Sequence, residues 1–228
     1  PFPNTELLID GRPTRVELGG FARVTSAFKA YGKKDNVIKL HAGDAVTGSL
    51  YYTLFKGEAD AALMNTVCFD AFALGNHEFD EGAAELLRMQ NGGCHPRDGC
   101  RGPTPFAGAR YQYLAANTIV DATRQTLFPP SVVREFDGVR VGFIGLALEG
   151  TPQILTPSAA DGLTFLDEVE TINTEAARLR VPVAEAHLPH RDDALGIAVM
   201  HTLDSLRMPL RDLLKQRVSS VYDGIEGA

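Results

Sequence analysis

No stretch of the 228 residues approaches the roughly 18 consecutive apolar positions of a membrane-spanning helix, so no span is expected. Clusters of lysine and arginine are missing as well. The chain carries 22 basic against 29 acidic side chains, a net charge of -7, which argues against a nucleic-acid duplex as partner because phosphate backbones need concentrated positive charge. A small anionic ligand stays compatible with this balance if bound cations invert the local field. There is no internal repeat or low-complexity tract, which excludes a solenoid. No Gly-x-Ser-x-Gly elbow occurs, which sets aside a nucleophilic serine hydrolase. The opening Pro1-Phe2-Pro3 is not a basic, apolar leader, so no signal peptide is expected in this sequence.

What is present fits a globular domain. With 44% hydrophobic and 22% charged residues the chain can bury one sizeable core. Of the three cysteines, Cys94 and Cys100 frame the polar loop His95-Pro96-Arg97-Asp98-Gly99. A loop so short is expected to close as a disulfide in an oxidising compartment. The competing reading, a zinc site from Cys94, His95 and Cys100, lacks a fourth partner. Cys68 reads as a buried hydrophobe in an apolar strand.

The chemistry concentrates in Leu74-Gly75-Asn76-His77-Glu78-Phe79-Asp80. An apolar run leads into Gly75, which permits a tight turn and close backbone approach. Asn76 then offers a carbonyl oxygen, His77 an imidazole and Asp80 a carboxylate, the groups of metal binding and proton transfer. A second cluster, His41-Ala42-Gly43-Asp44-Ala45-Val46-Thr47-Gly48-Ser49, also follows an apolar stretch. In parallel α/β sheets the carboxyl ends of strands share one crevice, so Asp44 is expected to meet the Asn76 to Asp80 group. A lone Asp after a strand is usually a turn former or helix cap, and a lone His is usually solvated; the joint pattern favours a cation site. His41 reads as a core or supporting group, and His95 and His201 show no partners in sequence.

The pair GDAVTGS and GNHEFD resembles the calcineurin-like metallophosphoesterases, specifically their bacterial 5'-nucleotidase and 2',3'-cyclic phosphodiesterase branch. TPFAGARYQYLAAN, VGFIGLALEGTP and GLTFLDEVETIN read the same way, so the resemblance covers roughly residues 14–180. It implies a layered α/β domain with a mixed sheet and flanking helices. It also implies hydrolysis of nucleotide phosphate monoesters by in-line attack of a water that two divalent ions activate, whether manganese, zinc, magnesium, cobalt or calcium. By that resemblance Asp44 bridges the two ions and Asn76 binds one of them. His77 faces the phosphoryl group as a proton donor or charge stabiliser, and Asp80 holds its tautomer. A periplasmic or secreted location is implied too. The family's first Asp-x-His motif, its later His motifs and its C-terminal nucleotidase domain do not appear in the sequence, so a fragment is expected. His187 and His190 are the candidate substitute ligands. The rival reading is a non-catalytic remnant that keeps the scaffold and binds a partner or one weak metal.

Along the chain, residues 1–13, with Pro1, Pro3, Gly11 and Pro13, read as an exposed loop. Phe21, Val24, Ala27 and Phe28 predict a helix over 20–31, and a strand is expected to end near Ala42. Residues 48–67 predict helix broken at Gly57, with Leu50, Leu54, Ala61, Met64 and Val67 buried. A short helix is expected over 81–89, a strand over 113–117 and a hairpin around Asp137-Gly138. Residues 164–180 predict a helix with acids in its first turns. The expected organisation is a phosphoesterase-like domain over 1–180 and a divergent helical tail over 181–228, including an amphipathic helix pair over 200–218.

Overall fold

A computed structural model describes residues 2–32, 36–102, 105–180 and 195–200. The chain opens with a two-stranded antiparallel ribbon, β1 (Phe2–Ile9) and β2 (Arg12–Leu18). This corrects the loop expected over residues 1–13. Asp10 and Gly11 both take positive φ, 50° and 75°, the left-handed pair that a two-residue hairpin requires. Pro13 is tolerated opposite Leu8 because a ribbon of two strands has only edges.

Helix α1 (Phe21–Tyr31) follows as predicted and packs Phe21 and Phe28 onto the core. Strand β3 (Leu40–His41) ends one residue short of Ala42. Helix α2 (Leu50–Phe55) starts where the Ser49 hydroxyl accepts the Tyr52 N–H at 3.1 Å. It stops at Lys56 and Gly57, both left-handed, and α3 (Glu58–Val67) begins directly after. Ala61, Met64 and Val67 are buried as expected, but Leu50 and Leu54 are 70% and 54% exposed. The break at Gly57 reorients the first piece, so Tyr52 is the side chain that α2 buries. Cys68 is also corrected: it is an exposed, left-handed cap ending α3, not a strand residue.

Strand β4 (Ala71–Ala73) is fully buried and leads to a short 3-10 turn, His77–Phe79, and helix α4 (Ala83–Asn91). Then come β5 (Tyr113–Leu114), β6 (Thr118–Val120), β7 (Gln125–Thr126), β8 (Ser131–Phe136) and β9 (Val139–Gly145). The β8–β9 hairpin turns at Asp137-Gly138, again with both φ positive. A short helix α5 (Thr151–Ile154), strand β10 (Leu163–Phe165) and helix α6 (Glu168–Arg180) complete the long described segment. The predicted helix therefore starts four residues late, because Leu163–Phe165 pairs antiparallel with β6. Asp167 caps α6 by accepting the Glu170 N–H at 2.7 Å. Strand β11 (Leu195–Met200) runs parallel to β9; the helices expected over 200–218, with His187, His190 and His201, lie outside the described residues.

The layers are those of a mixed α/β fold. Strands β3, β4 and β5 form a parallel sheet in that order. The β11-β9-β8 sheet abuts it where Ala116 donates to the Gly145 carbonyl at 2.7 Å. Gly145 is required there, since a Cβ would fall 2.3 Å from that of Leu114. The main core gathers Met64, Phe69, Phe72, Leu74, Phe79, Tyr111, Tyr113 and Phe165. Phe72 stacks on Tyr111 at 4.9 Å and on His41 at 4.2 Å, so an aromatic column runs from the interior to the end of β3.

Cys94 and Cys100 form the expected disulfide. Within its loop His95 is buried, and its Nδ1 accepts the Asp98 N–H at 3.0 Å, which corrects the reading of His95 as partnerless. Glu58 joins this loop to α3 by accepting the N–H groups of Arg101 and Gly102, each at 3.1 Å. A cross-link closing so short a loop stabilises by about 2 kcal/mol on chain-entropy grounds. Replacing both cysteines by serine is therefore expected to lower stability by about that amount, read as a lower urea midpoint at unchanged slope.

Candidate metal and phosphoryl-transfer site

Two strand ends meet here. The loop after β3 carries Asp44, and the loop after β4 carries Asn76, His77 and Asp80. The loops touch backbone to backbone: a Cβ on Gly43 would lie 2.2 Å from the Gly75 nitrogen, and one on Gly75 would lie 2.1 Å from Asp44 Oδ1. Two glycines face each other because nothing larger fits. Asp44 itself holds φ at 56° and Thr47 at 64°, so the first loop is bent through left-handed conformations that side-chain-bearing residues seldom adopt.

Hydrogen bonds hold that shape. The Glu78 carboxylate accepts three backbone N–H groups: Gly75 at 2.7 Å and Asp44 at 2.8 Å on one oxygen, Ala45 at 2.8 Å on the other. In return Asp44 Oδ1 accepts the His77 N–H at 3.1 Å. His41 Nδ1 accepts the Gly43 N–H at 3.1 Å. Burial pushes the Glu78 carboxyl up to about 7, opposed by the three N–H groups it accepts. Sequence reasoning assigns Glu78 no task. The available signal is an acid three residues after a glycine, the reach-back spacing by which a capping-box glutamate satisfies an N–H one turn earlier.

The structure brings Asp44, His77 and Asp80 together, with Asn76 next to His77 in the chain. His77 Nδ1 lies 2.9 Å from Asp80 Oδ2, which fixes the ring and leaves Nε2 as the nitrogen for a ligand. The His77 side chain is 53% exposed, so the imidazole is accessible. Its pKa is raised, first by the Asp80 hydrogen bond and further by the charges of Asp80, Asp44 and Glu78, against a lowering by burial. Asp44 lies within one residue of Asn76 through the His77 amide. A carboxylate and a carboxamide are oxygen donors of the kind hard divalent cations take, and the space a Gly75 Cβ would fill is occupied by Asp44 Oδ1. Donors of this chemistry suit a hard divalent cation. Among the described residues, a convergence of three acidic side chains occurs elsewhere, at Glu149, Asp167 and Glu168; there the Glu149 N–H donates to Glu168 Oε1 at 2.9 Å.

No family model matches the chain. It is, however, 34% identical over 179 residues to the NAD 5'-nucleotidase of Haemophilus influenzae, covering 77% of this chain and 27% of that protein. It is likewise 34% identical over 183 residues to a probable 5'-nucleotidase of Treponema pallidum, covering 77% of this chain and 27% of that one. The crystal structure of a 5'-nucleotidase precursor from Thermus thermophilus superposes with a TM-score of 0.65 at 30% identity, over 88% of this chain and 34% of its own. The shared fold is an α/β phosphoesterase domain. The chain belongs to the 5'-nucleotidase branch of the calcineurin-like metallophosphoesterases. It spans little more than a quarter, 27%, of each of the two sequence relatives.

His41 supplies a test of how the site is packed. Burial lowers its pKa from the ordinary 6.5 to about 4, with the Asp44 charge opposing. The unfolded chain therefore takes up a proton near pH 6.5 that the folded chain refuses until about pH 4, so His41 costs stability as pH falls through that window. In chelator-treated protein, wild type is expected to lose stability between about pH 7 and about pH 4.5 more steeply than His41→Phe, as read by urea denaturation at each pH. Equal slopes would show that His41 titrates freely.

Proposed function

We propose that this chain is the phosphoesterase part of a metal-dependent hydrolase that cleaves phosphate monoesters of nucleotides. The observation that carries the reading is the locked pair of loops, with Asp44 on the His77 amide and Asp80 on the His77 ring. Asp44 and Asn76 would hold divalent cations, two in number, which when bound polarise the phosphoryl oxygens and lower the pKa of water. His77 Nε2 is placed to meet the phosphoryl group, where it donates a hydrogen bond to developing negative charge or a proton to the leaving oxygen. Asp80 accepts from Nδ1–H and favours the doubly protonated ring, so Nε2 carries the proton that it donates and is held in a constant orientation.

A nucleotide or a related small phosphate ester is the substrate class, supported by the relatives named for nucleotidase activity. The non-catalytic remnant reading finds no support in those names. A periplasmic or secreted location is proposed on the Cys94–Cys100 bridge, which persists in oxidising compartments. No helix among the described residues is long and apolar enough to cross a membrane. A division into a phosphoesterase-like domain over 1–180 and a tail over 181–228 belongs to the same proposal, with β11 returning from that tail to pair parallel with β9 and with His187 and His190 as further ligand candidates.

The test is hydrolysis of AMP and of a chromogenic phosphate monoester by the full chain with manganese. Turnover is expected to vanish with chelator and return with added metal. His77→Ala is expected to lower the rate about 10²- to 10⁴-fold, the usual contribution of a positioned acid-base group. Asp80→Asn should cost less and leave metal binding intact. Turnover that survives both chelator and His77→Ala would refute the proposal, as would no turnover and no bound metal.

A further inference from the structure

Glu78 is 4% exposed and offers no atom to solvent chemistry, yet its side chain bonds to both loops of the site. One oxygen takes an N–H from each loop, Gly75 and Asp44, and the other takes the next N–H of the first loop, Ala45. The Asp44 backbone it grips is in a left-handed conformation, φ 56°, that would relax if released. The Asp44 carboxylate is aimed by that backbone, and it reaches across to the His77 amide of the second loop. The contacts form a closed circuit: Glu78 side chain to Asp44 backbone, Asp44 side chain to His77 backbone, and His77 adjoins Glu78 in the chain.

We infer that Glu78 is a positioning residue for cation binding: by clamping the Asp44 and Gly75 amides it sets where the Asp44 carboxylate and the Asn76 carboxamide stand, without itself being a ligand. The inference rests on the cation-site reading above. Glu78→Gln keeps length and shape but turns one oxygen into an N–H₂ group facing an N–H donor, so the bridge loses at least one of its arms.

Two measurements on the full chain decide it. The first titrates manganese, following the free ion by its magnetic resonance signal. Glu78→Gln is expected to bind roughly ten- to a hundredfold more weakly than wild type, the usual effect of removing a residue that orients a ligand. The second follows amide hydrogen exchange without metal. Exchange should speed up at Asp44, Ala45 and Gly75 and also at His77, whose amide donates to Asp44 and not to Glu78. Ala61 in α3 should be unchanged. General destabilisation would raise exchange at Ala61 as well.

Manganese affinity within about twofold of wild type, or His77 protection unchanged in the variant, overturns the inference. Should the variant not fold, wild-type exchange decides: the four amides are expected to open together with one free energy, and independent opening overturns it. Should wild type bind no manganese, the cation-site reading fails, while the exchange measurement still tests the clamp.

Discussion

The interaction on which the rest of the site depends is a buried carboxylate accepting three backbone N–H groups from two segments that lie about thirty residues apart in sequence, Asp44 and Ala45 on one and Gly75 on the other. Backbone N–H groups at strand ends have no ladder partner, and burying them unmet costs about 1 to 3 kcal/mol each. One glutamate meets three. An apolar residue at position 78 would leave all of them without this partner, the Gly75 amide in a buried place. The clamp also explains why the loop after β3 tolerates Asp44 in the left-handed region. Such conformations persist where surrounding bonds over-determine them.

Below the clamp lies the aromatic column. Phe72 is fully buried on β4, stacked between Tyr111 and His41, and Phe69 meets His41, Phe72 and Tyr111 edge-on. His41 therefore has an apolar face against the core and a polar edge toward the Gly43 amide. That dual contact transmits core rigidity to the loop bearing Asp44. A glycine at 75 and another at 43 then let the two loops close to backbone contact, a distance that any Cβ would forbid. Packing, hydrogen bonding and the absence of side chains thus act on the same few ångströms.

The site is legible in the sequence because its signals are local. Gly before Asp, Gly before Asn-His, and an acid three residues past the histidine can each be seen within a heptapeptide, and the strand-end geometry of α/β sheets supplies their meeting point. Asp137-Gly138 reads as a hairpin for the same reason. Asp10-Gly11 carries the same turn signal, but Pro3 and Pro13 point instead to a loop; prolines are compatible with a ribbon that has no interior strand. The failures at Leu50, Leu54 and Cys68 share another cause. Helical periodicity assumes one axis, and the left-handed residues Lys56, Gly57 and Cys68 change the axis in ways that no hydrophobic pattern records. The partners of His95 and the work of Glu78 depend on which amides lack a ladder bond, which only the folded chain shows.

Electrostatics gives the proposed cation a basis separate from family membership. Three carboxylates, Asp80, Asp44 and Glu78, act on the His77 ring, and each favours its protonated form. The field at the imidazole is therefore negative. A phosphate ester is an anion, and approaching such a cluster unaided it meets repulsion from Asp44 and Asp80 that a single imidazolium only partly offsets. Divalent charge held at Asp44, as proposed, would reverse the sign of the field there and would make an acidic chain a suitable host for an anionic ester.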